Sequence, residues 1–174
     1  FFSLQISNTT FPHLNSFNYL CSMTTTEQLY DIFQRYPSVS TDTRNLPADC
    51  IYFALKGPNF NGNTFAMEAL SKGASHAVVD EHAGDDPRLL RVPDVLTALQ
   101  QLATFHRHRL DINVLGITGS NGKTTTKELT AAVLRKEFST HYTRGNLNNH
   151  IGVPLTLLEL NEDHDFAVVE MGAN

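Results

Sequence analysis

A glycine-rich segment, Gly116 to Thr126, sets the strongest limit on the architecture of this chain. The apolar run before it, Ile112 to Leu115, predicts a strand, and the stretch after it, Lys127 to Phe138, predicts a helix. Such a loop binds polyanions, because its consecutive backbone amides and the helix N-terminus point to the same place. The segment therefore predicts an α/β fold with a site for a nucleoside triphosphate.

The spacing within this segment is a variant of the P-loop. In the general motif a lysine reaches the terminal phosphates and the next hydroxyl holds Mg²⁺, roles that fall here to Lys123 and Thr124. Ile117 stands where the general motif has its first glycine, so the spacing is Gly-x-x-Gly-x-x-Gly-Lys-Thr-Thr. Glycines and threonines also form ordinary turns and helix caps, which is the alternative interpretation.

An acidic residue follows a second predicted strand of the same unit. Phe166 to Val169 is an apolar run, and Glu170 comes directly after it. Ligands of parallel sheets bind at the carboxyl ends of the strands, and a carboxylate there suits Mg²⁺ bound to a nucleotide. The alternative is a carboxylate that is exposed to solvent at the end of a strand.

Composition excludes several other classes of protein. The chain has 174 residues, 41% of them hydrophobic, and a net charge of −5, so it can form a packed core but has no basic patch for nucleic acid. No apolar run has the length of a membrane span. The two cysteines, Cys21 and Cys50, form no disulfide framework, which favours a cytoplasmic protein.

The remaining pattern predicts two α/β units. The first unit has, in chain order, a helix at 27–36, polar residues with a turn at 38–46, a buried strand at 50–55, a loop at 56–64, a helix at 65–72 closed by Gly73, and a strand at 77–79. A long amphipathic helix at 94–109 then joins the two units. After the P-loop helix, the second has a strand at 139–142, a polar loop at 143–150 and a helix at 152–160.

These elements suggest a division of the chain into an extension at 1–22, an N-terminal unit at 23–109 and a second unit at 110–174. The extension lacks charged residues and is predicted to be disordered, or alternatively to pack on the body as a short strand or anchor. The second unit has only three predicted strands, whereas such sheets usually have about five or six. We therefore expect the chain to be a fragment.

Several motifs, in the same order along the chain, resemble the Mur ligase family. The resemblance covers Met23 to Asn174 and rests on the following segments: Thr41–Arg44, Phe53–Gly57, Phe60–Phe65, Gly116–Thr125, Gly145–Leu158 and Glu170–Asn174. The last two are similar to the members that add D-alanyl-D-alanine to UDP-N-acetylmuramoyl-tripeptide. Another Mur-type amino-acid ligase and a non-catalytic UDP-sugar-binding module are the alternatives.

The resemblance implies a small UDP-sugar-binding α/β domain followed by the first part of a P-loop ATPase domain with a mainly parallel sheet. It implies that ATP phosphorylates the carboxylate of the tripeptide and that the amine of D-alanyl-D-alanine attacks the acyl phosphate. The family's carbamoylated lysine and its adenine and dipeptide contacts would lie beyond Asn174, so we expect 174 residues alone to be inactive. We expect the parent enzyme to be a monomer.

The resemblance also implies roles for individual residues. Lys123 and Glu170 are the predicted catalytic residues, and Thr124 and Glu170 the predicted Mg²⁺ ligands. ATP would contact the following loop residues: Gly119, Ser120, Asn121, Gly122, Lys123, Thr124 and Thr125. Substrate would contact a second set: Thr43, Arg44, Gly57, Gly62, Asn148 and Asn149. Asn63 departs from the family pattern, which often has histidine there.

Overall fold

The computed structural model describes residues 23–172. The predicted extension at 1–22 and the last two residues, Ala173 and Asn174, lie outside this range. Along the described chain the helices and strands are α1 (Thr26–Arg35), β1 (Val39–Ser40), β2 (Ile51–Phe53), β3 (Lys56–Gly57), β4 (Phe60–Asn61), a 3₁₀ turn (Gly62–Phe65), α2 (Ala66–Ser71), β5 (His76–Val79), β6 (Leu89–Arg91), α3 (Val95–Arg107), β7 (Asn113–Ile117), α4 (Lys123–Leu134), β8 (Thr140–Tyr142), α5 (Gly152–Leu158) and β9 (Phe166–Glu170).

The strands form two parallel sheets and a small hairpin. The first sheet has the order β1-β2-β5-β6, and the second has the order β7-β9-β8. Strands β3 and β4 pair with each other in antiparallel register. The predicted α/β fold with mainly parallel sheets is therefore confirmed.

Helices cover both faces of the first sheet. On one face α1 and α3 bury Leu29, Phe33 and Leu99 against β2 and β5. On the other face α2 buries Leu70 beside Tyr52. Each such side chain contributes about 1.5–3 kcal/mol when it leaves water, so this sheet lies in the centre of a three-layer unit.

Helix α3 also packs against the second unit. Leu158 of α5 belongs to the same core as Leu99 and Leu102 of α3. The imidazole of His106 lies with Nε2 2.8 Å from the carbonyl oxygen of Leu160. Helix α3, which covers the first sheet, therefore also packs against α5 and the residue two positions after it.

Helix starts follow the capping residues in the sequence. Thr25 precedes α1, where its hydroxyl accepts from the amide of Gln28 and its own amide donates to the Gln28 side chain. Asp94 precedes α3 and accepts from the amide of Thr97 over 2.7 Å. These side chains satisfy amides that have no partner within the helix, and they fix where each helix begins.

The sequence pattern missed some short elements. Strand β1 lies in the polar stretch at 38–46, and β3 and β4 lie in the predicted loop at 56–64. Each has only two residues, too few to show alternation. Helix α4 begins at Lys123, whereas the sequence pattern predicted its start at Lys127. The three threonines at 124–126 are β-branched and have modest helix propensity, which is why the pattern did not include them, yet they form the first turn. Within residues 23–172 no helix combines the length and the apolarity needed to cross a membrane.

Candidate active site

The glycine-rich loop connects the end of β7 with the start of α4. Gly119 has φ +143° and Gly122 has φ +77°, backbone conformations that favour glycine. Gly122 directly precedes α4, and no side chain in the described part of the chain caps the amides of the first turn. These amides therefore remain available to an anion, as the P-loop prediction requires.

The side chain of Lys123 folds back over this loop. Its ammonium donates to the carbonyl oxygen of Gly119 over 2.7 Å. The residue is half-buried, and Ser120, Asn121 and Thr125 around it are exposed. A carbonyl is a weak partner compared with a phosphate, so the ammonium can exchange it for an anion that enters the loop.

Glu170 lies beside Thr124 because of the register of the second sheet. Strands β7 and β9 are parallel neighbours, and Ile117 pairs with Glu170 at their carboxyl ends. The hydroxyl of Thr124 donates to Glu170 Oε1 over 3.3 Å, although the two residues are 46 positions apart. The structure thus brings together the two residues that were predicted to hold Mg²⁺.

The Glu170 carboxylate is buried and only partly satisfied. Oε1 also accepts from Asn148 Nδ2 over 2.8 Å, whereas Oε2 has no hydrogen-bond partner among the described residues. The side chain is 1% exposed. A buried carboxylate oxygen without a donor is costly, and Mg²⁺ prefers carboxylate and hydroxyl oxygens. Glu170 and Thr124 therefore have the chemistry that fits this ion.

The loop after β8 contributes one of its two adjacent asparagines to this site. The carbonyl oxygen of Asn148 accepts from the amide of Gly172, and its side chain contacts Glu170. The side chain of Asn149 turns away and accepts from the amides of Ile151 and Gly152 at the start of α5. The structure brings Asn148 to the carboxylate and gives Asn149 a local structural contact.

Lys127 was absent from the predicted site, yet it lies at its base. Its side chain is fully buried, with Nζ 3.8 Å from Glu170 Oε2. The ammonium donates to the carbonyl oxygen of Gly145 over 3.0 Å. Its spacing from Thr124, three residues along α4, places both on one helix face and was the signal that could have identified it.

A second candidate site lies in the first unit. A cavity of about 490 Å³ is lined by Thr41, Asp42, Thr43, Arg44, Phe60 and Phe65. The rings of Phe60 and Phe65 are stacked, with centroids 5.5 Å apart and an interplanar angle of 11°. Phe60 is about half exposed, so this cavity presents a flat aromatic wall.

Arg44 forms a bidentate pair with Asp42 at the edge of this cavity. The guanidinium donates to both carboxylate oxygens over 2.6 to 3.1 Å. The Arg44 side chain is 88% exposed. These hydrogen bonds from Arg44 lower the pKa of Asp42 to about 2. Thr43 lines the same cavity, so the structure brings these two predicted residues together.

The two glycines that were predicted near the substrate have different surroundings. Gly57 is exposed, and a Cβ placed on it would meet no atom of residues 23–172 within 4 Å. Gly62 is buried, and a Cβ there would lie 2.5 Å from the carbonyl oxygen of Leu55. Gly62 therefore allows a close approach of two backbone segments. Its neighbour Asn63 is also buried and donates to Asp80 Oδ1 over 2.8 Å.

The sequence of this chain is similar to that of known ligases. Residues 117–174 match the Mur ligase middle domain. The chain is 47% identical over 154 residues to the UDP-N-acetylmuramoyl-tripeptide–D-alanyl-D-alanine ligase of Synechocystis sp., covering 87% of this chain and 34% of that protein. It is 45% identical over 137 residues to the ligase of the same name from Escherichia coli, covering 79% and 30%.

Solved structures show the same relationship. Crystal structure I of MurF from Acinetobacter baumannii has a TM-score of 0.77 and 35% identity, covering 86% of this chain and 36% of that one. The MurF ligase of Thermotoga maritima in complex with ADP has a TM-score of 0.73 and 30% identity, covering 82% and 33%. The chain thus spans about a third of the length of the relatives it matches. The motifs, the parallel sheets and these similarities agree, and the chain belongs to the Mur ligase family.

Proposed function

We propose that the full-length protein containing this chain is an ATP-dependent ligase that joins D-alanyl-D-alanine to UDP-N-acetylmuramoyl-tripeptide. The observation that carries the proposal is the meeting of Thr124 and Asn148 at the buried carboxylate of Glu170, beside the glycine-rich loop over which Lys123 folds. The similarity to ligases of that name supports the choice of substrates.

The first step in this proposal is transfer of the γ-phosphoryl group of ATP to the terminal carboxylate of the tripeptide, which breaks the bond to ADP and forms an acyl phosphate. Two anions must approach each other, so the chain has to reduce their repulsion. The free amides at the start of α4 and the ammonium of Lys123 bind the phosphate charge. The amine of D-alanyl-D-alanine then attacks the acyl carbon, and phosphate leaves.

Thr124 and Glu170 are the residues that would hold Mg²⁺, which would neutralise phosphate charge when bound. The Thr124 hydroxyl uses its proton toward Glu170 Oε1, so its oxygen lone pairs stay free for a cation. Asn148 keeps the carboxylate in place through its own donation to Oε1. These contacts fix the carboxylate before any ligand arrives.

The cavity beside Phe60 is the proposed site of the uridine diphosphate group. The exposed face of Phe60 offers a stacking surface for a pyrimidine ring. Arg44 and Thr43 line the same cavity and supply a cation and a hydroxyl for the diphosphate.

In this proposal residues 23–109 form the UDP-sugar-binding domain and residues 110–174 form part of the ATP-binding domain. Use of ATP and a UDP-linked precursor places the reaction in the cytoplasm.

The test is phosphate release by the full-length protein with ATP, UDP-N-acetylmuramoyl-tripeptide and D-alanyl-D-alanine. Lys123→Ala is expected to lower the rate at least about a hundredfold, since it removes a charge that stabilises the transferring phosphate. Lys136→Ala, an exposed lysine beyond α4, is the control and is expected to keep the rate. An unchanged rate in Lys123→Ala contradicts the proposed ATP site.

The nucleotide-sugar site has a separate test. Phe60→Ala is expected to weaken binding of UDP-N-acetylmuramoyl-tripeptide about tenfold in calorimetry, because stacking on an aromatic ring contributes about 1–3 kcal/mol. Met67→Ala, also an exposed apolar residue of this unit, is the control. Ligation of a different amino acid in place of D-alanyl-D-alanine would identify another Mur-type ligase instead.

A further inference from the structure

The side chain of Lys127 carries its ammonium group into the protein interior, where charged groups are rarely found. It is 0% exposed, one turn after Thr124 on α4. Burial of an ammonium is costly unless it has acceptors and an opposite charge nearby. Its partners are the Gly145 carbonyl oxygen at 3.0 Å and Glu128 Oε1 at 3.1 Å. The side chain is therefore held in one position from two sides.

The ammonium also faces the carboxylate of Glu170, without bonding to it. The distance from Nζ to Glu170 Oε2 is 3.8 Å, which is beyond a hydrogen bond. Among residues 23–172 Oε2 has no hydrogen-bond partner, whereas Oε1 accepts from Thr124 and Asn148. Lys127 thus places an opposite charge beside Oε2 of the buried carboxylate, whereas Oε1 is the oxygen that faces Thr124.

The contact with Gly145 has a second effect. Gly145 has φ +55° and lies in the loop that carries Asn148. By donating to the Gly145 carbonyl, Lys127 ties this loop to α4, the helix that begins at the glycine-rich loop. The Lys127 side chain therefore contacts two parts of the structure next to the glycine-rich loop. One is the Glu170 carboxylate at the end of β9, and the other is the loop that carries Asn148.

We propose that Lys127 is a positioning residue for the metal site, which holds the Glu170 carboxylate and the Asn148 loop in place without touching the nucleotide. The inference rests on the proposed function, because it assigns a role at the same site. It separates two lysines of α4. Lys123 lies at the open loop and meets phosphate, whereas Lys127 lies beneath it and acts through Glu170 and Asn148.

The experiment measures Mn²⁺ binding to the full-length protein in the presence of ADP, by the electron paramagnetic resonance signal of free Mn²⁺. ADP affinity without metal is measured by calorimetry. The variants are Lys127→Met and Lys127→Gln, which remove the charge, and Lys127→Arg, which keeps it. Lys136→Met is the matched control, and circular dichroism verifies that each variant is folded.

Lys127→Met and Lys127→Gln are expected to bind Mn²⁺ at least about tenfold more weakly, as is typical when a group that orients a metal ligand is lost. Their affinity for ADP alone should stay within about threefold of the wild type, since Lys127 does not touch the loop amides. Lys127→Arg should bind Mn²⁺ more tightly than either uncharged variant.

Four outcomes overturn the inference: wild-type Mn²⁺ affinity in a folded uncharged variant, an equal loss of ADP affinity without metal, no advantage of arginine over methionine, or failure of both uncharged variants to fold. The last would show a role in folding alone. If the wild-type protein itself binds neither ADP nor Mn²⁺ with ADP, the proposed function fails, which is a different result.

Discussion

The hydroxyl of Thr124 donates to Glu170 Oε1 over 3.3 Å and so connects the first turn of α4 with the end of β9. The contact is a product of sheet register, since Ile117 at the end of β7 pairs with Glu170. A residue at the start of a P-loop helix and a carboxylate on the adjacent strand must then share one edge of the sheet. Their meeting is what makes a cation site at this edge chemically reasonable.

Loss of the Thr124 hydroxyl should selectively weaken metal binding at the proposed Mg²⁺ site. Thr124→Val keeps the branched shape and removes the oxygen, so we expect metal-dependent ADP affinity to fall at least about tenfold. Affinity for ADP without metal should change little, because the loop amides are untouched. Calorimetry with and without Mg²⁺ measures both, and Thr126→Val, an exposed threonine of the same helix, is the control. Equal losses with and without Mg²⁺ would contradict a role in metal binding.

Asn148→Ala should have a related but distinguishable effect. It removes the 2.8 Å donation to Glu170 Oε1 and leaves a buried carboxylate with one donor fewer. Losing a hydrogen bond to a charged group costs about 1.5–3 kcal/mol, so we expect at least a tenfold weaker metal-dependent affinity for ADP. Asn146→Ala in the same loop is the matched control, since Asn146 is exposed. Equal affinities in the two variants would contradict a role for Asn148 at the carboxylate.

Gly62→Ala tests the packing beneath the hairpin. A Cβ at this position would lie 2.5 Å from Leu55 O and 2.6 Å from the Ala54 carbonyl carbon, both backbone atoms that cannot turn aside. We expect about 2 kcal/mol of lost stability, as in other overpacked sites. Urea denaturation of the 174-residue chain measures it. Gly57→Ala, in the hairpin itself, meets no atom of the described residues within 4 Å and should change stability by well under 1 kcal/mol.

The stability of the chain should fall in mild acid because of His141. Burial, with a further effect of the neighbouring charges of His164 and Arg144, lowers the pKa of His141 to about 4. The unfolded chain, with a histidine pKa near 6.5, then binds more protons between these two values, so unfolding becomes easier as pH falls from 6.5 toward 4.

This histidine alone should lower the free energy of unfolding by up to about 3 kcal/mol across that window. A difference of one between the folded and unfolded pKa values corresponds to about 1.4 kcal/mol. Denaturation of the 174-residue chain at several pH values from 4 to 7 measures the slope. His141→Asn should flatten it, whereas His108→Asn, an exposed histidine beyond α3, should leave it unchanged. An unchanged slope in His141→Asn would contradict the assignment.

The sequence predicted that Thr124 and Glu170 lie at one edge of the sheet, where the structure has them in contact, because the signals for both are local. Gly122 before Lys123, and Glu170 after an apolar run, each report a strand or helix end that can be identified within a few residues. That Thr124 and Glu170 touch required only the rule that parallel strands end at one edge. The family and the fold followed from motifs of the same local kind.

What the sequence did not show depends on contacts between distant segments. The spacing of Lys127 from Thr124 places both on one face of α4, but the burial of Lys127 becomes evident only when Gly145 and Glu170 are placed around it. The two adjacent asparagines look equivalent, yet one faces the carboxylate and the other the start of α5. The stacked pair of Phe60 and Phe65 depends on a hairpin of two-residue strands that no periodicity reveals.

The packing of Leu158 beside Leu99 and Leu102 has a consequence for how the chain responds to damage. Because α3 shares one core with α5, unfolding of either sheet unit exposes apolar surface that belongs to the other. The free energies of unfolding of the two units are therefore linked. A cavity made at Leu102 would destabilise the unit that carries the glycine-rich loop as well as the unit that carries Arg44.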